Sequence, residues 1–330
     1  MIVTVTLNAA LHVSYKVLVS GATIPPRPPL LMGGLPAPPY PPVPVSRPRY
    51  RAGGRGVTVA RVLRAFGHDV LAAGLAGGGA GELIIQDLAR SGVPTAFTLI
   101  RGESRRFFRF AGPGPEGPVV RFSEPGPYIT TEELGRFAAD YRGLLAGAAA
   151  VVLCGSLPDG LDADTYGSLV TYAAEAGVPV ILDAGGEELK HAVGHGPDLV
   201  VAESSSAEPG PALGTALIRL GAGAAAVAVG GRVHAVTAAG QWTARVEGAG
   251  EAGSDHYAPA RGALVAGLVP GQLLGWSWPD RLRHALALAA GGAGAWTRTP
   301  GGPEDRDHVD LGAYERLLDA VRVERSARGG

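Results

Sequence analysis

Cysteine is almost missing from this 330-residue chain. The single Cys154 excludes an internal disulfide and any cysteine cluster around a metal, and it reads as a small buried residue at a strand end. Long apolar runs are missing too. None approaches the roughly 20 residues needed to span a bilayer, so no membrane partner is expected. The N-terminus opens on alternation, Met1-Ile2-Val3-Thr4-Val5-Thr6-Leu7. It shows neither a basic leader region nor a small-residue cleavage site, which makes a cytoplasmic location the expectation. Lysine is scarce, with only Lys16 and Lys190, and the formal net charge is −1. A nucleic-acid surface needs clustered basic residues, and the overall balance gives no sign of one. No internal repeat is present.

What is present is material for a large core. With 46% hydrophobic and 18% charged residues, residues 1–330 suit a single α/β domain. The one compositional break runs from Pro25 to Pro48, which holds eleven prolines. Proline fixes φ and removes a backbone donor, so this segment is expected to run over the surface as polyproline II. It reads either as a stiff excursion or as a strip that docks a protein partner.

Beyond it, strands and helices alternate. Helices are expected over Val57 to Phe66, Glu82 to Ser91, Thr131 to Leu145, Ala163 to Ala176, Ala212 to Leu220, Trp278 to Ala290 and Leu311 to Val323. Thr130 or Thr131 caps the third of these, with Glu132 and Glu133 in its positive first turn. Strands are expected at Val70 to Ala76, Ala96 to Ile100, Arg106 to Phe110, Val119 to Phe122, Val151 to Leu153, Val178 to Leu182, Asp198 to Val201 and Ala224 to Val229. Apolar strands separated by helices imply a mostly parallel sheet covered on both faces. Ligands then lie beyond the strands' carboxyl ends.

Four stretches carry a resemblance. Thr4-Val5-Thr6-Leu7-Asn8-Ala9-Ala10-Leu11-His12 is similar to T-V-T-L-N-P-A-L-D, and Gly53-Gly54-Arg55-Gly56-Val57-Thr58-Val59-Ala60-Arg61 to G-G-K-G-I-N-V-A-R. Glu124-Pro125-Gly126-Pro127 and Gly155-Ser156-Leu157-Pro158 match without change. Together they resemble the PfkB family of carbohydrate kinases, in its 1-phosphofructokinase and tagatose-6-phosphate kinase branch. The resemblance implies a ribokinase-like three-layer sandwich with a mostly parallel central sheet and a small lid, altered here over residues 13–52. The family often pairs through that lid, so a homodimer is possible, although the prolines disturb the region.

Near the C-terminus the family reads G-A-G-D-A-L-V-A-G. Its glycines open a helix N-terminus to ATP phosphates, and its Asp takes the proton of the sugar hydroxyl. Here the stretch is Pro259-Ala260-Arg261-Gly262-Ala263-Leu264-Val265-Ala266-Gly267. The last five residues match, Gly262 stands where the Asp belongs, and Pro259 and Arg261 replace the glycines. An anion hole needs free backbone N–H groups, and Pro259 has none.

The substrate side is altered as well. His12 stands where the family has a sugar-binding Asp, and a neutral imidazole has one acceptor where a carboxylate accepts several bonds. Thr58 replaces an Asn. Gly53 and Gly54 still allow a ligand to approach backbone closely. Arg105 sits at the family's phosphate-binding arginine, Arg55 keeps a lysine's charge, and Ser156 stays in its matched motif. On the nucleotide side, Val201-Ala202-Glu203-Ser204-Ser205-Ser206 replaces K-P-N-x-x-E, so Glu203 is the only acid left. Ala228-Val229-Gly230-Gly231-Arg232-Val233 replaces S-L-G-A-x-G.

A general base contributes about 10²–10⁴ in rate, and each oxyanion donor about 10²–10³ more. Losing both predicts a non-catalytic PfkB protein that binds a phosphosugar, a related small molecule or a partner. One alternative is an active kinase using Asp255, beside His256, as substitute base, with ATP and Mg²⁺ as its cofactors. The other is an interaction module built on the proline-rich strip. No resident metal is expected, because His12, Glu203, Asp255 and His256 have no ligand spacing.

Overall fold

The computed structural model describes residues 1–18, 43–114, 117–204, 209–247, 261–297 and 311–326. Two sheets organise them. The larger has ten strands, in the edge-to-edge order β14 (Val321–Ser326), β13 (Gly240–Val246), β12 (Arg232–Thr237), β11 (Ala224–Val229), β10 (Leu199–Glu203), β9 (Val180–Asp183), β8 (Ala150–Cys154), β1 (Ile2–Thr6), β4 (Val70–Gly77), β5 (Thr95–Ile100). The seven strands from β11 to β5 pair in parallel; β12, β13 and β14 add on antiparallel. The smaller sheet has the order β3 (Arg49–Gly53), β2 (Ala10–Lys16), β6 (Arg105–Ala111), β7 (Val119–Ser123).

Strand residues alternate between two covering layers, as a period of two requires. Ile2, Ala72, Ala150 and Val152 share one core with Val57, Ile84, Leu264 and Leu286. These come from α1 (Arg55–Ala65), α2 (Gly78–Arg90), α7 (Arg261–Leu274) and α8 (Trp278–Thr297). Val3, Val5, Val151 and Leu153 face the other way, onto Phe137, Tyr141, Tyr166 and Leu169. Those belong to α3 (Thr131–Leu145) and α4 (Thr165–Glu175), and α5 (Gly186–Ala192) and α6 (Gly210–Leu220) complete the helices of the parallel units. The result is the three-layer α/β sandwich expected from the sequence.

Local signals account for much of this. Helix α3 starts where its capping residues dictate. The Thr130 side chain accepts from the Glu133 backbone N–H, and Glu133 accepts from Thr130 in return, a reciprocal box that satisfies two end donors. Gly267 lets α7 touch α8, because a Cβ there would lie 2.4 Å from Ala285 Cα. Cys154 is fully buried at the end of β8, as expected.

Three expectations need correction. The C-terminal helix, α9 (Leu311–Ala320), stops three residues early. Val321, Val323 and their polar neighbours have the alternation of a strand, and they pair with β13. Strands β12 and β13 were not expected at all; the turn that leads from β11 into β12 is Gly230-Gly231, with φ of 54° and 78°. Positive φ at both central residues marks a two-residue hairpin turn. Strands β2 and β3 were likewise missed. Most of the proline-rich segment lies outside the described residues; Val45 forms an antiparallel bridge to Val17.

Candidate functional site

The parallel strands end along one rim, and the residues just past them converge there. Asn8 follows β1, Asp183 closes β9 and Glu203 closes β10. The N-termini of α1 and α7 face the same rim, α1 being entered through Gly54 at φ 123°, a conformation open to glycine.

Asp183 is the hub of one half of the site, and its side chain is 0% exposed. Arg261 Nε donates to its Oδ1 at 2.5 Å, and Arg55 Nη1 lies 3.5 Å from the same oxygen. The other Arg261 nitrogens reach Glu203 Oε2 (3.4 Å), Ala184 O (3.2 Å) and Val201 O (3.1 Å). One guanidinium thus ties the first turn of α7 to the ends of β9 and β10. Burial pushes the Asp183 carboxyl above its ordinary value, against the pull of both arginines. Its Oδ2 has no hydrogen-bond partner among the described residues. Asp183 was missed by the sequence reading. An acid directly after an apolar strand, at the ligand-bearing end of a doubly wound sheet, was the signal that pointed to it.

Gly262 lies beside this network and against α1. A Cβ added there would come within 2.8 Å of both Thr58 Cβ and Cγ2, and within 3.3 Å of Arg55 O. The two helices meet closely at this position. Thr58 turns its hydroxyl back onto its own helix, to Gly54 O at 3.2 Å.

The other half of the site is built on Asn8, a second residue missed by the sequence reading. Its Nδ2 donates to Ser156 Oγ and Leu157 O, both at 3.3 Å, and Arg105 Nε donates to its backbone O at 3.4 Å. Arg105 also reaches Ser123 Oγ at 3.4 Å. Asn8 Oδ1 is buried without a partner among the described residues. Arg105, Asn8 and Ser156 are thereby brought together, and Arg105 is half-buried.

His12 stands over Gly53, where a Cβ would lie 2.2 Å from its Nε2, and its ring centroid is 5.1 Å from that of Phe107. Gly53 therefore makes room for this imidazole. Burial, then Arg105, Arg51 and Arg61, lower the His12 pKa from 6.5 to about 4. The folded state thus holds His12 neutral, and stability is lost as pH falls from about 6.5 towards 4. A His12→Gln variant is expected to lose about 2–3 kcal/mol less than the parent between pH 7 and pH 4 in urea unfolding.

Among the other sequence candidates, Ala228 pairs with Glu203 across β10 and β11, and Gly230 belongs to the hairpin turn. Asp255, His256, Pro259 and Ala260 lie outside the described residues. The donor set does not fit a magnesium ion, which takes several hard oxygen ligands. The rim's acids, Asp183 and Glu203, are both ion-paired to Arg261. No group of three His, Cys, Asp or Glu forms a metal cluster among the described residues. Among them, too, no helix is long and apolar enough to cross a membrane.

The pfkB family of carbohydrate kinases matches residues 35–209, more than half of the chain, and the chain belongs to that family. A curated relative, the tagatose-6-phosphate kinase of Staphylococcus epidermidis, is 36% identical over 146 residues. That match covers 44% of this chain and 46% of the relative, so it spans just under half of the relative's length. The fold is shared with a Thermotoga maritima protein described as a possible 1-phosphofructokinase, with a TM-score of 0.76 at 21% identity over 99% of each chain. It is also shared with Escherichia coli phosphofructokinase-2 in complex with fructose-6-phosphate, with a TM-score of 0.72 at 20% identity over 96% of this chain and 98% of that one.

Proposed function

We propose that this chain is a phosphosugar-binding PfkB protein, of the 1-phosphofructokinase and tagatose-6-phosphate kinase branch, that has given up phosphoryl transfer. The observation that carries this reading is Arg261. Its guanidinium lies between Asp183 and Glu203 at the rim where an anhydride and its metal would be handled. A positive side chain with carboxylate partners there competes with a divalent cation for the same oxygens. Gly262 supports the same reading, since a side chain there would collide with Thr58 and no base stands beside it among the described residues.

The binding half has different chemistry. Arg105 offers a planar fork suited to a phosphate. Ser156 and the unpartnered Asn8 Oδ1 offer polar groups for hydroxyls. His12, neutral at physiological pH, presents a single acceptor or donor by tautomer. Binding there needs neither nucleotide nor magnesium.

Thermal unfolding with fructose 6-phosphate, tagatose 6-phosphate or fructose 1-phosphate tests this. At about 100 times Kd a ligand adds about 2.7 kcal/mol, a shift of a few degrees in a chain of this size. The shift is expected to be indifferent to magnesium and to be lost in Arg105→Gln. ATP-dependent turnover above background, read by a coupled assay, would overturn the loss of phosphoryl transfer and point to Asp255.

A further inference from the structure

The near-zero net charge hides a segregation. Residues 1–68 contain eight lysines and arginines and no acid; the first acidic residue is Asp69. The four strands of the small sheet continue the pattern, with Lys16, Arg49, Arg51, Arg105, Arg106, Arg109 and Arg121 and no aspartate or glutamate.

Register separates these side chains by face. Ser14 pairs with both Arg49 and Arg109, and Arg109 pairs with Arg121. Directly paired residues share a face, so Arg49, Ser14, Arg109 and Arg121 form one rung across the sheet. Two rungs away on the same face, Ala10 pairs with Arg105 and with Gly53. Between them lies the rung of Arg51, His12, Phe107 and Ser123. The opposite face presents Leu11, Val13 and Ala52 to the core, and Arg106 there is ion-paired to Glu103 and Glu124. One face is therefore packed, and the other is a cationic plate.

Two features of the outer rung are costly without an anion. Arg109 and Arg121 stand directly opposite each other on neighbouring strands, and like charges so placed are destabilising. Arg109 Nη1 is also buried with no hydrogen-bond partner among the described residues, a donor stripped of water. Among those residues neither arginine has an ion pair, whereas an oxyanion between them would accept from both forks.

We propose that the Arg49–Ser14–Arg109–Arg121 rung is a second oxyanion site, taking the far phosphate of a compact molecule that carries two or more phosphate groups. Arg109 stands about 13 Å along the strand from Arg105, at about 3.3 Å per residue. The ring pair of His12 and Phe107 lies between the two poles. Two separated poles with an aromatic floor fit a compact bis- or oligophosphate better than the continuous track of a nucleic-acid strand. Pairing of two copies through this sheet would oppose two cationic plates unless an anion lay between them. The proposal rests on the phosphosugar reading only in sharing Arg105 as its near pole; the rung itself lies two rungs away on the same face.

Calorimetric titration of the full chain with tripolyphosphate, orthophosphate and a short single-stranded oligonucleotide tests it. Tripolyphosphate is expected to bind most tightly, and its affinity to fall as salt rises. Arg109→Gln and Arg121→Gln are each expected to weaken it about tenfold, the scale of one charge-assisted hydrogen bond. Arg121, exposed on the edge strand β7, gives a variant whose folding is not at risk. Without ligand, Arg121→Gln is expected to raise the Tm, because it removes half of a repelling pair. A merely structural arginine would lower the Tm. Failure of the phosphosugar reading alone would appear as no thermal shift with phosphosugars in the parent chain, with tripolyphosphate affinity still lost in the rung variants. Unchanged tripolyphosphate affinity in both rung variants would overturn the proposal, and so would an oligonucleotide binding more tightly than tripolyphosphate.

Discussion

Asp183→Ala is expected to destabilise the chain by about 3–5 kcal/mol, the scale of breaking a buried ion pair by removing one partner. The reason is what the substitution leaves behind. Arg261, 17% exposed, and Arg55, 32% exposed, would face each other over an uncharged pocket. The tie between α7 and the strand ends would keep only the Ala184 and Val201 carbonyls and the exposed Glu203. Asp183→Asn keeps an acceptor for Arg261 and is expected to cost less.

The reciprocal variant, Arg261→Met, makes the same point through pH. Asp183 already has a raised pKa from burial, and losing Arg261 raises it further. A folded carboxyl above its unfolded value favours the protonated chain, so the penalty is absent below the unfolded pKa of about 3.9 and grows as pH rises through the folded one. Urea unfolding at pH 4 and pH 8 is therefore expected to show little loss at the lower value and a large one at the higher. A loss independent of pH would mean that Arg261 contributes by packing alone.

How much of this was legible in the sequence depended on range. Helix α3 could be read to the residue, because its cap and first-turn acids are local. The parallel strands could be read because burial on both faces makes them continuous apolar runs. Strand β3 could not: Arg49-Tyr50-Arg51 has no apolar period of its own and becomes a strand by pairing with β2. The tail beyond Ala320 continued a helical pattern until pairing with β13 claimed Val321 and Val323. At the site, the motif positions fall along one rim, yet Arg261 read only as a replacement for a glycine. Its partner Asp183 lies 78 residues away, and no local pattern joins the two. The part of the last motif that survives, Ala263 to Gly267, is the buried part that packs α7 onto the core.

Gly262→Asp places an acid where the motif resemblance puts the family's base, and it is expected to fail. The new Cβ would meet Thr58 at 2.8 Å, on atoms close to a helix backbone that cannot swing away. Overpacking of this kind costs about 1–3 kcal/mol, and a carboxylate forced into a buried site adds about 1–3 more if it finds no partner. Gly262→Ala separates the two, since it carries the steric cost and no charge. Thr58→Gly opens the space, so the double variant Thr58→Gly, Gly262→Asp is expected to recover about 0.5–3 kcal/mol relative to the sum of the single variants. Even then Arg261 keeps both rim acids occupied, and turnover is expected to stay at background until that guanidinium is removed as well. Kinase activity in the single Gly262→Asp variant would show that the loss was one residue deep, and it would overturn the reading of a site closed by Thr58 and Arg261 together.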